Sequence, residues 1–490
     1  MKKTTLIFVL LGLLSACTKD LTKLNVDPKN PSVVPSGTLF TDAERVMVTE
    51  IITPDINNNT FRLLEQQWTE TQYLNESQYD IQDRTIPDDI YSTYYVNVLN
   101  NFEKAKQFMA TDVSDAGTRA NELAITDLCE VNCFYYLVTT FGNIPYSEAF
   151  DTSKPFPKFD DALTIYEDLL KRIDADITAL NTANGSFTTA DQIYNGDPAH
   201  WLKFANTLKV KMGMTLSGST DTKVILPLAK ATVASALTGK GGLFTSNADN
   251  ALQTFYASPP STNPIWTTLV QSGRHDFIAT DFFMGLLGAQ NTTTPVDPRT
   301  PYYFAKNSAG VYLGAPNATV QIAANFSLPS GPLYTAGSIG SLTNPDFPGD
   351  IMDYAQLQFN LAEAAALGGY GVTGTAASYY AAGITASIDY WTNGDDSGIA
   401  TYLAANPYVD ITSVYKQEYL ALYNDGYDAW TLTRKTGYPA LVPPAGTPYG
   451  PFPIRFTYPV VEDNTNPVNV KAAAAAIGGD ATTTKLVFFK

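Results

Sequence analysis

Residues 195–216 read NGDPAHWLKFANTLKVKMGMTL, and this stretch decides the fold class. Asp197 and Pro198 supply a helix N-cap followed by proline at the first helical position. Apolar residues then recur at three- and four-residue intervals, which places them on one helix face. That face comprises Trp201, Phe204, Ala205, Leu208, Met212 and Leu216. The pattern predicts an amphipathic helix that buries this face.

The same helical period occurs on both sides of this stretch. It runs from Leu163 to Leu180 after Asp160, from Ile351 to Leu367, and from Ile411 to Tyr423. Residues 119–141 are apolar nearly all round, which predicts a central helix. Helices of this length in consecutive pairs predict a mostly α fold in which helix hairpins bury their faces by stacking. The tetratricopeptide consensus of Trp, Gly and Tyr at fixed offsets is absent, so regular repeats are not predicted.

Two other regions have no such period. Residues 239–350 are dense in Gly, Pro, Asn, Ser and Thr, and within them only short segments such as Phe277–Leu287 are predicted to be helical. Residues 437–469 combine many prolines with tyrosine and phenylalanine. Long irregular segments in a compact protein usually carry function. The sequence therefore predicts a helical scaffold with an irregular, aromatic-rich region.

The N-terminus predicts export. Met1-Lys2-Lys3 precedes an apolar stretch from Leu6 to Leu14, which is too short to span a bilayer. Leu14-Ser15-Ala16-Cys17 resembles the lipobox of bacterial lipoproteins, in which the cysteine is acylated after cleavage. We therefore predict a signal peptide at residues 1–16, a lipid-anchored tether at 17–36 and a single domain at 37–490. The alternative is ordinary signal cleavage with an incidental cysteine.

Composition excludes several function classes. The chain has 31 Lys and Arg against 48 Asp and Glu, a formal net charge of −17, which argues against nucleic acid as a partner. Only two histidines, His200 and His275, are present, so His-based metal sites and a hydrolytic triad are unpromising. Residues 239–242 lack the spacing of a phosphate loop and residues 424–428 that of an EF-hand. No metal or cofactor is predicted. Cys129 and Cys133 are interpreted as buried apolar residues.

Six segments in order resemble the SusD/RagB family of outer-membrane nutrient-binding lipoproteins, especially its second SusD-like subgroup. They are the lipobox with Asn25-Val26-Asp27-Pro28, residues 141–149 (FGNIPYSEA), residues 196–206 (GDPAHWLKFAN), residues 354–364 (YAQLQFNLAEA), residues 426–439 (GYDAWTLTRKTGYP), and residues 455–459 (RFTYP) before Glu462.

This resemblance implies a SusD-like fold of tetratricopeptide-like helix pairs beside an irregular ligand-binding region. It implies a cell-surface, non-catalytic protein, anchored in the outer membrane through Cys17. It also implies a partner, a SusC-like TonB-dependent transporter over which the lipoprotein sits as a hinged lid. The implied ligands are glycans in many members and oligopeptides in others.

Candidate ligand contacts follow from the chemistry of sugar binding, which needs flat aromatic faces over C–H patches and amide, hydroxyl or guanidinium groups at the hydroxyls. Glycan binders of the family often display an arc of tryptophans, whereas this chain has only five, so an arc must rely on tyrosine. Two regions, 73–95 and 256–303, supply suitable side chains. The predicted ligand contacts are Tyr73, Tyr79, Arg84, Tyr91, Tyr256, Trp266, Arg274 and Tyr302.

Two alternative functions stay open at this point. A surface glycoside hydrolase would need two carboxylates at a separation that sequence cannot give. A structural or adhesin lipoprotein would keep the anchor and lack a defined ligand cleft. His275, beside Asp276 and near Ser272, is expected to form a simple hydrogen-bonded pair rather than a catalytic relay.

Overall fold

The fold is mostly α-helical, as a computed structural model shows for residues 34–330, 342–446 and 448–489. The predicted signal peptide, Cys17 and almost all of the tether lie outside these described residues. The helices are α1 (Ser36–Ile52), α2 (Phe61–Leu64), α3 (Ile86–Ser92), α4 (Asn100–Asp112), α5 (Ala116–Phe141), α6 (Ala162–Ala179), α7 (Pro198–Thr215), α8 (Ile225–Ala236), α9 (Asp281–Leu286), α10 (Thr300–Tyr303), α11 (Tyr354–Leu367), α12 (Ala376–Thr392), α13 (Ile399–Ala405), α14 (Ile411–Ala421), α15 (Gly426–Thr436), α16 (Val460–Thr465) and α17 (Pro467–Ala476).

Short strands form three two-stranded antiparallel ladders, in which β1 pairs with β5, β2 with β3 and β4 with β6. The strands are β1 (Trp68–Glu70), β2 (Ile144–Pro145), β3 (Phe159–Asp160), β4 (Ala251–Gln253), β5 (Phe277–Ala279) and β6 (Gly349–Met352).

Helices that are neighbours in sequence pack as pairs. α5 packs on α6, α7 on α8 and α11 on α12, and α1 packs along α4. A wider π-helical segment, Thr93–Leu99, joins α3 to α4, so that residues 86–112 form one continuous helical rod. The predicted mostly α architecture of stacked helix pairs is confirmed.

The helix at residues 195–216 forms as its sequence predicts. The carboxylate of Asp197 accepts the Ala199 N–H at 2.8 Å, and Pro198 is the first residue of α7. Trp201 and Leu208 are fully buried, in line with the predicted apolar face. Local capping and the 3.6-residue period therefore suffice to define this element.

The central helix is α5, which is buried on nearly every side from Asn121 to Phe141. Cys129 and Cys133 lie within it as free, buried thiols. Burial raises the pKa of both thiols well above the usual value, so neither is a reactive thiolate. This agrees with their interpretation as apolar packing residues.

Two predicted helices are wrong at their N-terminal ends. Phe277–Ala279 is a strand, and α9 begins only at Asp281, where the Thr280 hydroxyl accepts the Phe283 N–H. Likewise Gly349–Met352 is a strand, and the Asp353 carboxylate caps α11 by accepting the Gln356 N–H. In both segments a distant strand partner overrides the local helical pattern.

The irregular region shares a second buried core with the scaffold helices. Tyr303 stacks on Tyr423 with ring centroids 4.1 Å apart, and both pack against Trp391. The fully buried Arg299 pairs with Asp297 and also donates to the Ser387 hydroxyl of α12 and to Gln417 of α14. The irregular segments are therefore fixed to the scaffold helices by packing and by a buried ion pair.

Candidate functional site

The pairing of β1 with β5 brings together the two regions that supply the predicted ligand contacts. Glu70 lies opposite Phe277, and the ladder continues where the Thr71 N–H donates to the Asp276 carbonyl at 2.8 Å. The Gln321 N–H donates to the Thr71 carbonyl at 3.0 Å. Thr71 therefore joins the segment that carries Arg274 to the segment around Gln321.

Tyr73 projects from this junction with 74% of its surface exposed. Its φ of 56° lies in the left-handed region, as do the φ angles of Gln66, Tyr79 and Thr85. Such a conformation costs a non-glycine residue about 1 kcal/mol or more and is typical of ligand clamps held by surrounding structure. The ladder contacts of Thr71 hold the chain in this position.

Arg274 lies half-exposed beside this junction. Its guanidinium donates to both carboxylate oxygens of Asp276, with the shortest bond from Nη2 to Oδ2 at 2.6 Å, and sits 5.0 Å from the Phe277 ring centroid. The carboxylate of Asp276 thus binds Arg274, and the expected His275–Asp276 pair is not formed. His275 is exposed.

Residues that sequence reasoning did not select complete this surface. Val320 and Ile322 are largely exposed on either side of Gln321. The Asn75 amide donates to the Tyr449 hydroxyl at 3.2 Å, which brings the proline-rich segment beside the loop that follows Tyr73. The only sequence signal for them is the aromatic and aliphatic content of irregular segments. We define the Tyr73 face as Tyr73, Asn75, Arg274, Val320, Ile322 and Tyr449.

A pair of buried glutamates lies beneath the loop. Glu70 and Glu76 are both about 1% exposed, and the Ser77 N–H and hydroxyl donate to Glu70 Oε2 at 3.4 and 3.2 Å. Arg84 Nε donates to Glu76 Oε1 at 2.6 Å, and Glu76 Oε2 has no hydrogen-bond partner in the part of the chain that the structure describes. Burial, with the charge of Glu76 nearby, raises the pKa of Glu70 to about 8. Glu70 is therefore mainly protonated at neutral pH.

Tyr79 and Tyr91 lie in the interior, unlike the surface rings that the sequence led us to expect. Tyr79 is 3% exposed, accepts a hydrogen bond from the Gln66 amide, and meets Phe452 edge-on. Tyr91 is 6% exposed and packs against Tyr95 with ring centroids 4.4 Å apart. Phe452 packs against Tyr79 and Phe141 packs against Tyr91, and because both partners are distant in sequence, periodicity cannot reveal these contacts.

The other predicted contacts have intermediate or high exposure. Arg84 is partly exposed and is held by Glu76, while Tyr256 is about half exposed. Trp266 opens a π-helical segment that ends at Gln271, and it is half-buried. Tyr302 lies half-buried in α10. The remaining four tryptophans are all buried, so Trp266 is the one tryptophan that can contribute to a ring platform at the surface.

Chemically, the Tyr73 face offers exposed rings and aliphatic side chains next to a guanidinium and an amide. Such a surface can cover the apolar face of a ligand while its polar groups replace water at hydroxyl or carbonyl groups. Within the described ranges, no cluster of three or more His, Cys, Asp or Glu side chains is arranged to hold a metal ion. None of the helices in the described residues has both the length and the apolar character needed to cross a membrane.

Comparison with solved structures supports the fold. A chitin-binding SusD homologue from Flavobacterium johnsoniae is similar at 21% identity, with 92% of this chain and 98% of that chain covered and a TM-score of 0.75. A SusD homologue from Bacteroides uniformis matches at 23% identity, covering 92% and 99%, with a TM-score of 0.74. One from Bacteroides fragilis matches at 22% identity, covering 94% and 100%, with a TM-score of 0.73.

Comparison of the sequence itself gives the family. No curated protein matches the chain. A family model, SusD-like_2, described as "Starch-binding associating with outer membrane", matches residues 28–459. The match spans most of the chain and agrees with the helix pairs and irregular region described above. The chain therefore belongs to the SusD-like_2 family.

Proposed function

We propose that this protein is a non-catalytic surface receptor that captures oligosaccharides, or oligopeptides, and delivers them to a SusC-like TonB-dependent transporter. The observation that carries the binding role is the Tyr73 face, where a tyrosine 74% exposed is held in a left-handed conformation beside a half-exposed arginine. A large ring held at the surface in a strained backbone conformation has no packing role there, which favours a role in ligand contact.

The chemistry of this face favours a neutral saccharide as ligand. Tyr73 and Tyr449 supply rings for C–H patches, and Arg274 and Asn75 supply donors for hydroxyl groups. The family description names starch, and the relative from Flavobacterium johnsoniae is named as chitin-binding, which supports carbohydrate as the ligand class. An extended oligopeptide would use the same donors through its carbonyl groups.

The rival enzyme function finds no support in the site. Near Tyr73, Asp276 is paired with Arg274, and Glu70 and Glu76 are buried. The exposed Asp83 accepts a hydrogen bond from the Asn75 amide at 3.4 Å. Of the two histidines, His200 binds the helix-capping Asp197 at 2.6 Å, and His275 is exposed. We therefore propose binding without turnover.

Location and partner follow from the family and from Cys17. Acylation of this cysteine would anchor the chain in the outer membrane, facing the cell exterior, because several acyl chains bind a bilayer far more firmly than one. The family description associates its members with the outer membrane. A SusC-like transporter is the proposed recipient of the captured ligand.

One experiment tests both halves of this proposal. The full chain, expressed with its signal sequence and extracted in mild detergent, is incubated with a panel of neutral oligosaccharides and oligopeptides, and ligand is analysed before and after binding. We expect saturable binding, recovery of the ligand intact, and co-purification of a large β-barrel transporter from the native membrane. Hydrolysis of a panel member at an enzymatic rate would contradict the receptor function, and isolation of the chain without a transporter would contradict the delivery role.

A further inference from the structure

A large groove lies on the scaffold, formed by elements separate from those that build the Tyr73 face. It has a volume of 590 Å³ and runs between α12 and α13. Residues at helical spacing on α12, among them Thr385 and Asp389, line one wall. The lined part of α12, from residue 382 to residue 389, is about 10 Å long at 1.5 Å per residue. Both volume and length suit a small organic ligand.

One part of this groove is apolar. Leu403 projects from α13, and Tyr354, the first residue of α11, contributes an aromatic ring. Both side chains are partly buried against the hydrophobic core shared by α11, α12 and α13. Their free surfaces face the groove, so a ligand can lay an apolar face on a ring and an aliphatic side chain there.

The polar part offers hydrogen-bond acceptors and no cation. Asn247 donates both amide hydrogens, to the Ala386 carbonyl and to Asp389 Oδ2, each at 2.9 Å. Its Oδ1 atom is buried and has no hydrogen-bond partner among the described residues. Asp389 and Asp396 add carboxylates, and among the described residues that line the groove there is no lysine, arginine or histidine. Apart from the hydroxyls of Ser246 and Thr385, this lining favours an occupant that brings hydrogen-bond donors and carries no negative charge.

We propose that this α12–α13 groove is a second saccharide site, which binds a short neutral segment of glycan through Tyr354, Asp389 and Asp396. A sugar combines the two properties that the lining requires: hydroxyl donors around its edge and an apolar C–H face for the Tyr354 ring. Repulsion from the two carboxylates disfavours uronic or sulfated sugars. This inference rests on the proposed function, because it assumes that glycan is the ligand class.

The test counts binding sites on the full chain in detergent, by isothermal titration with maltohexaose and with chitohexaose. Tyr354→Ala removes the ring, and Thr385→Trp fills the groove from an exposed helix position without disturbing the core. Tyr379→Ala is the matched control. Tyr379, on α12, is half-buried like Tyr354 but does not line the groove. Thermal unfolding of each variant verifies that it is folded.

We expect the wild-type chain to bind two molecules of at least one hexasaccharide. Tyr354→Ala and Thr385→Trp should each weaken one site at least 10-fold and leave the other within 2-fold, whereas Tyr73→Ala should weaken only the other site. Tyr379→Ala should retain both sites. If Tyr354→Ala does not fold, Thr385→Trp alone decides.

Three results would overturn this inference. The wild-type chain could show a single site that is lost in Tyr73→Ala and unchanged in Thr385→Trp. This result would contradict the second site but not the proposed function. Binding of a polyamine such as spermidine in the groove, with no binding of either hexasaccharide there, would show that the occupant is a cation. Absence of glycan binding anywhere on the chain would contradict both this inference and the proposed glycan receptor.

Discussion

A tryptophan of the helical scaffold and a tyrosine at the β1–β5 junction differ in how far the fold buries them. In α7, Trp201 is fully buried, and its indole N–H donates to Asp191 Oδ2 at 2.7 Å. At the β1–β5 junction, Tyr73 is mostly exposed in a strained backbone conformation. In the scaffold, aromatic rings stabilise the fold, whereas at the junction the fold holds a ring in solvent. Substitution of a buried scaffold ring should therefore change the free energy of unfolding, whereas substitution of Tyr73 should change the affinity for ligand.

The largest expected effect comes from the buried ion pair that fixes the irregular region. Arg299→Met leaves the Asp297 carboxylate buried without its cation, so we expect a loss of about 3–5 kcal/mol in the free energy of unfolding. Chemical denaturation measures this loss. Arg274→Met is the matched control, because Arg274 forms a similar pair two residues from Asp276 at the surface. An exposed pair contributes about 1 kcal/mol or less, and equal losses in both variants would contradict the difference in burial.

The second prediction concerns the pH dependence of stability. Glu70 titrates near 8 in the folded chain and near 4.5 when unfolded, because burial raises its pKa. The folded chain therefore binds the Glu70 proton more tightly than the unfolded chain does. As a result, the contribution of Glu70 to stability falls as pH rises from about 4.5 to about 8. Glu70→Gln should remove this fall, which approaches 1.4 kcal/mol per pH unit at most.

Glu122 provides the scaffold counterpart for that measurement. Burial raises the pKa of Glu122 to about 7. Denaturation from pH 4 to pH 9 should show the difference between wild type and Glu70→Gln growing up to about pH 8. The difference for Glu122→Gln should stop growing near pH 7. A Glu70→Gln curve parallel to that of the wild type would mean that Glu70 is ionised in the folded chain at neutral pH.

A smaller effect is expected at the cap of α7. Asp197→Ala removes the acceptor for the Ala199 N–H, which should cost about 1 kcal/mol in the free energy of unfolding. Asp197→Ser retains a capping oxygen and should lose less than half as much. Ligand binding at the Tyr73 face should not change in either variant, and a weakened affinity would show that the scaffold and the site are coupled.

The smallest expected change in stability is a gain at the site. Tyr73→Gly relieves a φ of 56° that glycine adopts without steric cost, so we expect stability to rise by about 0.5–1 kcal/mol. Tyr73→Ala removes the same ring but keeps the strain, and should be less stable than Tyr73→Gly. If the two variants unfold at the same denaturant concentration, Tyr73 stores no strain.

The sequence predicts features that depend on residues close together in the chain, but not those that depend on distant residues. Trp201 and Asp197 were assigned correctly because capping and helical period act over a few residues. Phe277 was assigned to a helix but forms a strand, because its partner Glu70 lies about 200 residues away. Tyr91 was expected at the surface and is buried against Tyr95 and Phe141. Residue types and their local sequence order identify side chains that could contact a ligand. Whether such a side chain is buried depends on contacts that only the folded chain defines.

The central claim, that the Tyr73 face binds ligand without altering it, is tested most directly by titrating one bound oligosaccharide into three versions of the chain. These are the wild type, Tyr73→Ala and the scaffold control Tyr379→Ala. The account predicts that Tyr73→Ala weakens affinity at this face at least 10-fold with unchanged melting temperature, that Tyr379→Ala binds like the wild type, and that the sugar is recovered intact. Equal affinity of Tyr73→Ala and the wild type, or cleaved sugar, would contradict it.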